Sequence, residues 1–329
     1  MFLKEPHIQN LKLKIRTLWA HFSLTSPHKN PGCVNFSTKL QHNFCHKKTS
    51  TLKNLQLTAI ATTMVTLNDL KQAINNSEWD RVSQIIKTDS SLVKKHYLLP
   101  TFLGGFKEVS DVLPLHHVCS RDDAPLQLIQ RLVLMYPKSI DKKESSLRRT
   151  CLHIALLKCL PDEIISFLIE ANPDATKMQD RLGRVPLHYA FSNLRSSDIL
   201  TALIHIFPQC VRAPDKKSGW TPLHIAVTTN VHPDVIRLMI NVCPESVLMR
   251  MNSGSTVVEL AEESEFQNKT EIIDIVSKKV EELQSLPEYK NFVYCFDDTG
   301  STTSGQSSAV SSYASDKQKQ KVLPRHCFV

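Results

Sequence analysis

A six-residue motif recurs four times along this 329-residue chain, and that recurrence restricts the fold more than any other property of the sequence. The copies are Leu113-Pro-Leu-His-His-Val118, Thr150-Cys-Leu-His-Ile-Ala155, Val185-Pro-Leu-His-Tyr-Ala190 and Thr221-Pro-Leu-His-Ile-Ala226. A decayed fifth copy is Thr256-Val-Val-Glu-Leu-Ala261. The fourth positions, His116, His153, His188, His224 and Glu259, are spaced by 37, 35, 36 and 35 residues.

A second marker runs in phase with the first. Pro137, Pro173, Pro208 and Pro244 are 36, 35 and 36 residues apart. Each ends an apolar run of helical period, over residues 126–136, 162–172, 197–207 and 233–243. Proline just past a helix stops it. About a dozen mostly polar residues follow each proline, several with a turn signal such as Asp180-Arg-Leu-Gly183, Asp215-Lys-Lys-Ser-Gly219 or Asn252-Ser-Gly254. Each unit reads as a short helix, a turn, a longer helix and a hairpin loop. The motif suits the start of the short helix: Thr offers a hydroxyl N-cap, and Pro occupies the first helical position, where no amide is wasted. Leu enters the core, His can bridge backbone groups through two ring nitrogens, and Ala admits a close neighbour.

This combination resembles the ankyrin repeat, whose signature is T-P-L-H-x-A at a period of about 33 residues. The resemblance covers about residues 113–285. It departs from the family in its longer period, in proline where glycine usually ends the second helix, and in Leu113 and Val185 at the Thr position. Ser145-Ser-Leu-Arg148 also stands where the hairpin Asp and Gly are expected. The chain is read as a divergent subclass. The expected fold is an all-α helix-turn-helix solenoid with short hairpin loops. It has a cap at 64–112, repeats at 113–148, 149–184, 185–220 and 221–254, and a C-terminal cap at 255–285.

The cap contains a degenerate copy: a helix over 67–75, a second over 77–87 with Ser77-Glu-Trp-Asp80 as its start, and a loop from Thr88. The segment 94–111, with apolar Phe102-Leu-Gly-Gly-Phe106, either folds over the cap or contacts a partner. Residues 286–329 are expected to be a disordered tail, since 299–315 is rich in Ser, Thr and Gly. Residues 1–63 hold nine of the 40 Lys/Arg and one of the 32 Asp/Glu, so this leader carries the whole net charge of +8. The rest, with 31 of each sign, is neutral, and no nucleic-acid partner is expected. Ile8, Leu11, Ile15, Leu18, Trp19 and Phe22 fall on one helical face of the leader. Three readings of it stay open: an inert or untranslated stretch before a start at Met64, a mitochondrial or plastid import peptide, and a membrane-surface or partner-binding helix. The body is expected to be a cytoplasmic monomer. No run approaches 18 apolar residues, so no spanning helix is expected.

Signatures of catalysis are sparse. None of the eight Gly precedes Lys, and no GxGxxG occurs, which removes both phosphate-binding loops. Asp298-Thr-Gly-Ser301 matches the aspartic-protease loop, but that chemistry needs two carboxylates and there is no second copy. Zinc–nitrogen bonds are about 2 Å, whereas packed helices lie about 8–10 Å apart. One His per repeat therefore cannot converge on an ion, and His116, His153, His188 and His224 read as structural. The nine Cys include no CxxC, and those at 119, 151, 159, 210 and 243 read as reduced core thiols. No cofactor or metal is expected. The expected function is a non-catalytic protein-binding scaffold that uses a concave face and a row of hairpins, as the family resemblance implies. An organelle or membrane adaptor is the alternative, and a hydrolase with an unrecognised site the remote one. The hairpins are rich in cations, and Arg148, Arg149, Arg181, Arg184, Lys216, Lys217, Trp220 and Arg250 are the candidate contacts for an acidic or phosphorylated protein segment, with Trp220 as an exposed aromatic anchor.

Overall fold

The computed structural model describes residues 65–104, 109–287 and 289, and the backbone of the short strands Tyr294–Phe296 and Thr302–Ser304. The leader, Asp298-Thr-Gly-Ser301 and most of the tail lie outside the described residues. The described part is mostly helical. Six helix pairs follow one another: α1 (Leu67–Asn75) with α2 (Trp79–Thr88), α3 (Pro114–Cys119) with α4 (Leu126–Met135), and α5 (Cys151–Leu157) with α6 (Asp162–Ala171). Then come α7 (Pro186–Ser192) with α8 (Ser197–Ile206), α9 (Pro222–Val227) with α10 (Pro233–Val242), and α11 (Val257–Glu263) with α12 (Lys269–Ser285). Odd-numbered helices pack on odd from α1 to α11, and even on even from α4 to α12.

The motif explains this stacking. Its third residue, Leu115, Leu152, Leu187 or Leu223, is buried between layers, and its sixth, Val118, Ala155, Ala190, Ala226 or Ala261, is wholly buried. A side chain no larger than Val there lets successive short helices approach closely. Each buried Leu contributes about 1.5–3 kcal/mol of transfer free energy. In the long helices the apolar stripe faces the same core, as with Ile164, Ile165, Leu168 and Ile169 of α6.

The phased prolines do more than stop helices. Tyr136, Asn172, Phe207 and Cys243 leave helical geometry with φ between −137° and −150°, since a residue before proline is pushed into extended conformation. Each proline then opens a 3₁₀ turn: Pro137–Asp141, Pro173–Lys177, Pro208–Arg212 and Pro244–Leu248. The third and fourth residues of each turn are buried: Ser139 and Ile140, Ala175 and Thr176, Cys210 and Val211, Ser246 and Val247. The stretches expected as polar loops thus begin with a built element. The first pair has its own version, Ser90–Lys94, which buries Leu92 and Val93 and is capped by the Asp89 carboxylate on the Ser91 amide at 2.9 Å.

Ser77 does not cap α2 as expected. It lies at φ +57° and ends α1, with the Glu78 amide donating back to the Ala73 carbonyl at 2.9 Å. Cys159 (φ +53°) and Leu194 (φ +49°) end α5 and α7 in the same way, with Leu160 donating to Ala155 and Arg195 to Ala190. This is the Schellman helix ending, usually supplied by glycine.

The segment after the cap forms an antiparallel hairpin of β1 (Tyr97–Pro100) and β2 (Val109–Val112), an addition to the all-helical plan. Its inner face, Tyr97, Leu99, Ser110 and Val112, is buried, while Leu98 and Val109 are exposed. Tyr97 Oη lies 2.7 Å from His117 Nδ1, and Lys71 Nζ donates to the Leu98 carbonyl at 2.8 Å. In the tail, β3 (Tyr294–Phe296) pairs with β4 (Thr302–Ser304) inside a stretch expected to lack structure. The aromatic and β-branched residues there favour strands, which the Ser/Thr/Gly-rich composition obscured.

Candidate protein-interaction surface

Three hairpin loops, hereafter fingers, are each built around an inward-turned acid. The Glu144 carboxylate accepts from the amides of Ser146, Leu147 and Arg149 at 2.6–3.1 Å, and from Ser110 Oγ at 2.6 Å. Asp180 accepts from the Arg184 amide at 2.9 Å, and Asp215 from those of Ser218 and Trp220 at 2.8 and 3.2 Å. All three acids are buried. The turn is completed by a residue in left-handed conformation: Gly183 (φ +78°), Gly219 (φ +72°) and, where glycine is missing, Arg148 (φ +59°). Fingers then join through the backbone: Ser145 N to Asp111 O, Arg181 N to Leu147 O, Lys216 N to Leu182 O, and Asn252 N to Ser218 O, at 2.6–3.2 Å.

The motif histidines connect the same units. Nδ1 of His116, His153, His188 and His224 accepts from the amide three residues earlier, at 3.1–3.3 Å. An accepting Nδ1 leaves the hydrogen on Nε2. Nε2 of His116, His153 and His188 meets the carbonyls of Lys142, Arg184 and Trp220, at 2.9, 3.3 and 3.1 Å, in the loop leading to the next motif. At His224 that nitrogen has no full hydrogen bond among the described residues, and the Met249 carbonyl is the acceptor acting on it. Burial strips water from all four rings and lowers their pKa, to about 3 for His153 and about 4 for the others.

The structure redistributes the eight positions picked as contacts. Arg148, Arg181, Lys216 and Lys217 are exposed on the finger tips. Arg149 is not: it is 2% exposed, because its Nε donates to Tyr189 Oη at 3.1 Å and Nη1 to the Leu103 carbonyl at 3.1 Å. Arg184 is half-buried, with Nε 3.7 Å from the Asp215 carboxylate. Arg250 is half-buried and donates to the Gly254 carbonyl of its own loop at 2.9 Å. Trp220 is half-buried too, its ring edge-on to His224. Trp220 is therefore no exposed anchor but one wall of a recess shared with Leu157, Arg184, Tyr189, Ser192 and Asn193.

Tyr189 is the residue that reading the sequence missed. It is the variable fifth position of the third motif, occupied elsewhere by His117, Ile154, Ile225 and Leu260. Its hydroxyl donates to Asp180 at 2.6 Å, and both the Arg149 and Arg184 guanidiniums stand over its ring, at 5.5 and 6.0 Å. Burial pushes the phenol up to about 12. The only available signal was that one repeat alone carries a phenol at this position.

Burial also pushes the thiols of Cys151 and Cys210 up to about 12 and that of Cys243 up to about 11, away from the reactive thiolate. Cys159 departs from the expected core set and is exposed at its left-handed helix end. Among the described residues no group of three His, Cys, Asp or Glu is arranged to hold a metal ion, and no helix is long and apolar enough to cross a membrane.

Residues 115–213 match the family described as ankyrin repeats, in three copies, and residues 218–247 match the family described as ankyrin repeat. The chain carries ankyrin repeats within residues 115–247. Ankyrin repeats are generally protein-interaction modules and typically have no catalytic activity. A solved structure titled Bd0816 predatory endopeptidase from Bdellovibrio bacteriovorus in complex with immunity protein Bd3460 is similar over 64% of this ankyrin-repeat chain and 97% of that one, with 15% identity and a TM-score of 0.48. No curated protein matches the chain.

Proposed function

We propose that this ankyrin-repeat chain is a non-catalytic scaffold that binds a partner protein through its short-helix face and the adjoining row of fingers. The observation that carries the reading is the recess walled by Trp220 and Tyr189 and lined by Arg184 and Asp215, which belong to fingers whose exposed charged side chains are cations. Trp220 and Arg184 are half-buried there, over the buried Tyr189, and Trp and Arg are among the side chains that most often dominate protein interfaces. The fingers flanking the recess are fixed to one another by backbone hydrogen bonds, so little ordering entropy is lost when a partner docks. The motif histidines hold this surface in register by joining the start of one short helix to the loop entering the next.

The test is affinity capture with the full chain, with Trp220→Ala, and with Ser192→Trp, which fills the recess. Proteins retained by the wild type and lost from both variants, at unchanged melting temperature, are the expected result. The same set retained by all three would overturn the reading.

A further inference from the structure

We propose that the finger tips dock an acidic protein segment in polyproline II conformation, with carboxylates three residues apart. This deepens the scaffold reading and rests on it.

Charge segregation is the first observation. In the fingers spanning residues 144–149, 180–184 and 215–220, the acids Glu144, Asp180 and Asp215 are turned inward and consumed by loop hydrogen bonds. Every charged side chain left exposed there is a cation: Arg148, Arg181, Lys216 and Lys217. Among the described residues none of these four has an acid within ion-pair distance. A sequence that is neutral outside residues 1–63 thus presents a one-signed row.

Spacing is the second. Arg181 and Lys216 occupy equivalent places, each following the acid of its finger and each donating its amide to the preceding finger. The two arms of a finger are joined by a backbone hydrogen bond, Asp180 N to Arg184 O or Asp215 N to Trp220 O, and a further one joins it to the preceding finger. At the spacing of about 4.8 Å between hydrogen-bonded extended chains, equivalent tips recur at about 10 Å. Arg148 follows Leu147, whose carbonyl receives the Arg181 amide, and so reinforces the first position. Lys217 reinforces the second. A polyproline II segment rises about 9.3 Å in each three-residue turn and returns every third side chain to the same face. A β-strand puts residues i and i+3 on opposite faces. A helix needs an apolar groove to lie in, and the exposed side chains at these tips are charged or polar. Carboxylates fit better than phosphate because the tip amides are already spent: those of Arg181, Gly183, Arg184, Lys216, Ser218, Gly219 and Trp220 all donate within the loops. No cluster of free N–H groups is left for a phosphate.

The experiment is fluorescence anisotropy on the full chain with synthetic peptides of one composition. One repeats Glu-Pro-Ser four times; another carries the same glutamates in a single block. The repeat is expected to bind at least about threefold tighter, the scale of a few exposed ion pairs, and to weaken as salt rises. The preference should vanish in the double variant Arg181→Ser, Lys216→Ser and persist in Arg181→Lys, Lys216→Arg, with both melting as the wild type does. Equal binding of the two peptides, or tighter binding of a phosphoserine peptide, a helical peptide with glutamate at every seventh residue, or duplex DNA, overturns the proposal. Failure of every peptide also overturns it. The scaffold reading would still stand if capture remained sensitive to Trp220→Ala.

Discussion

Mild acid should strongly destabilise the repeats through their buried histidines. His116, His153, His188 and His224 are buried and neutral, with pKa values of about 4, 3, 4 and 4. In the unfolded chain each returns to about 6.5. The folded values are the lower ones, so the unfolded chain binds more protons between these limits. Stability therefore rises with pH through the window and is lost as pH falls through it. At pH 5.5 an unfolded imidazole is about nine-tenths protonated and a folded one only a few per cent, a loss of about 1.4 kcal/mol per ring. Four rings together approach about 5–6 kcal/mol, comparable with a typical domain's whole stability of about 5–15 kcal/mol. His117, also lowered to about 4, acts in the same direction. The assay is urea unfolding followed by circular dichroism at pH 7.5, 6.5, 6.0 and 5.5. The slope with pH gives the protons taken up on unfolding: near zero at pH 7.5 and about four or more at pH 5.5. His224→Asn should reduce that uptake by about one proton. Equal stability at pH 7.5 and 5.5 would refute the reasoning, because it would require the rings to be already charged or exposed in the fold.

Three further outcomes follow from backbone and network geometry. Arg148→Gly should stabilise the chain by about 1 kcal/mol in chemical denaturation, since Arg148 holds a left-handed φ of +59° that costs a side chain roughly that much. Gly219→Ala should destabilise more than Gly254→Ala: the added Cβ would stand 2.9 Å from the Asn252 amide nitrogen at Gly219 but meet nothing within 4 Å at Gly254, and both are at positive φ. Tyr189→Phe should lower stability by about 1–3 kcal/mol, because it strands polar atoms of buried Asp180 and Arg149.

The sequence exposed its repeat plan because periodic burial needs periodic residues. The Leu and Ala of each motif, the phased prolines and the face of Ile164, Ile165, Leu168 and Ile169 could be read directly. What escaped reading depends on tertiary context. The 3₁₀ turns hide in polar stretches because only two residues of five, such as Ser139 and Ile140, face inward. Arg149 looked like its neighbour Arg148, yet one turns into Tyr189 and the other to solvent. Loop charges carry no periodic signature that separates these fates. The β1–β2 hairpin escaped because its strands are four residues each and its burial rests on partners such as His117.

Hydrogen–deuterium exchange of the full chain, alone and with a captured partner bound, tests the scaffold account most directly. The account predicts slowed exchange in the fingers at 144–149, 180–184 and 215–220 and along α7 and α9, beside the Trp220 recess. Protection confined to the long helices α4, α6, α8 and α10, with the fingers unchanged, would contradict it.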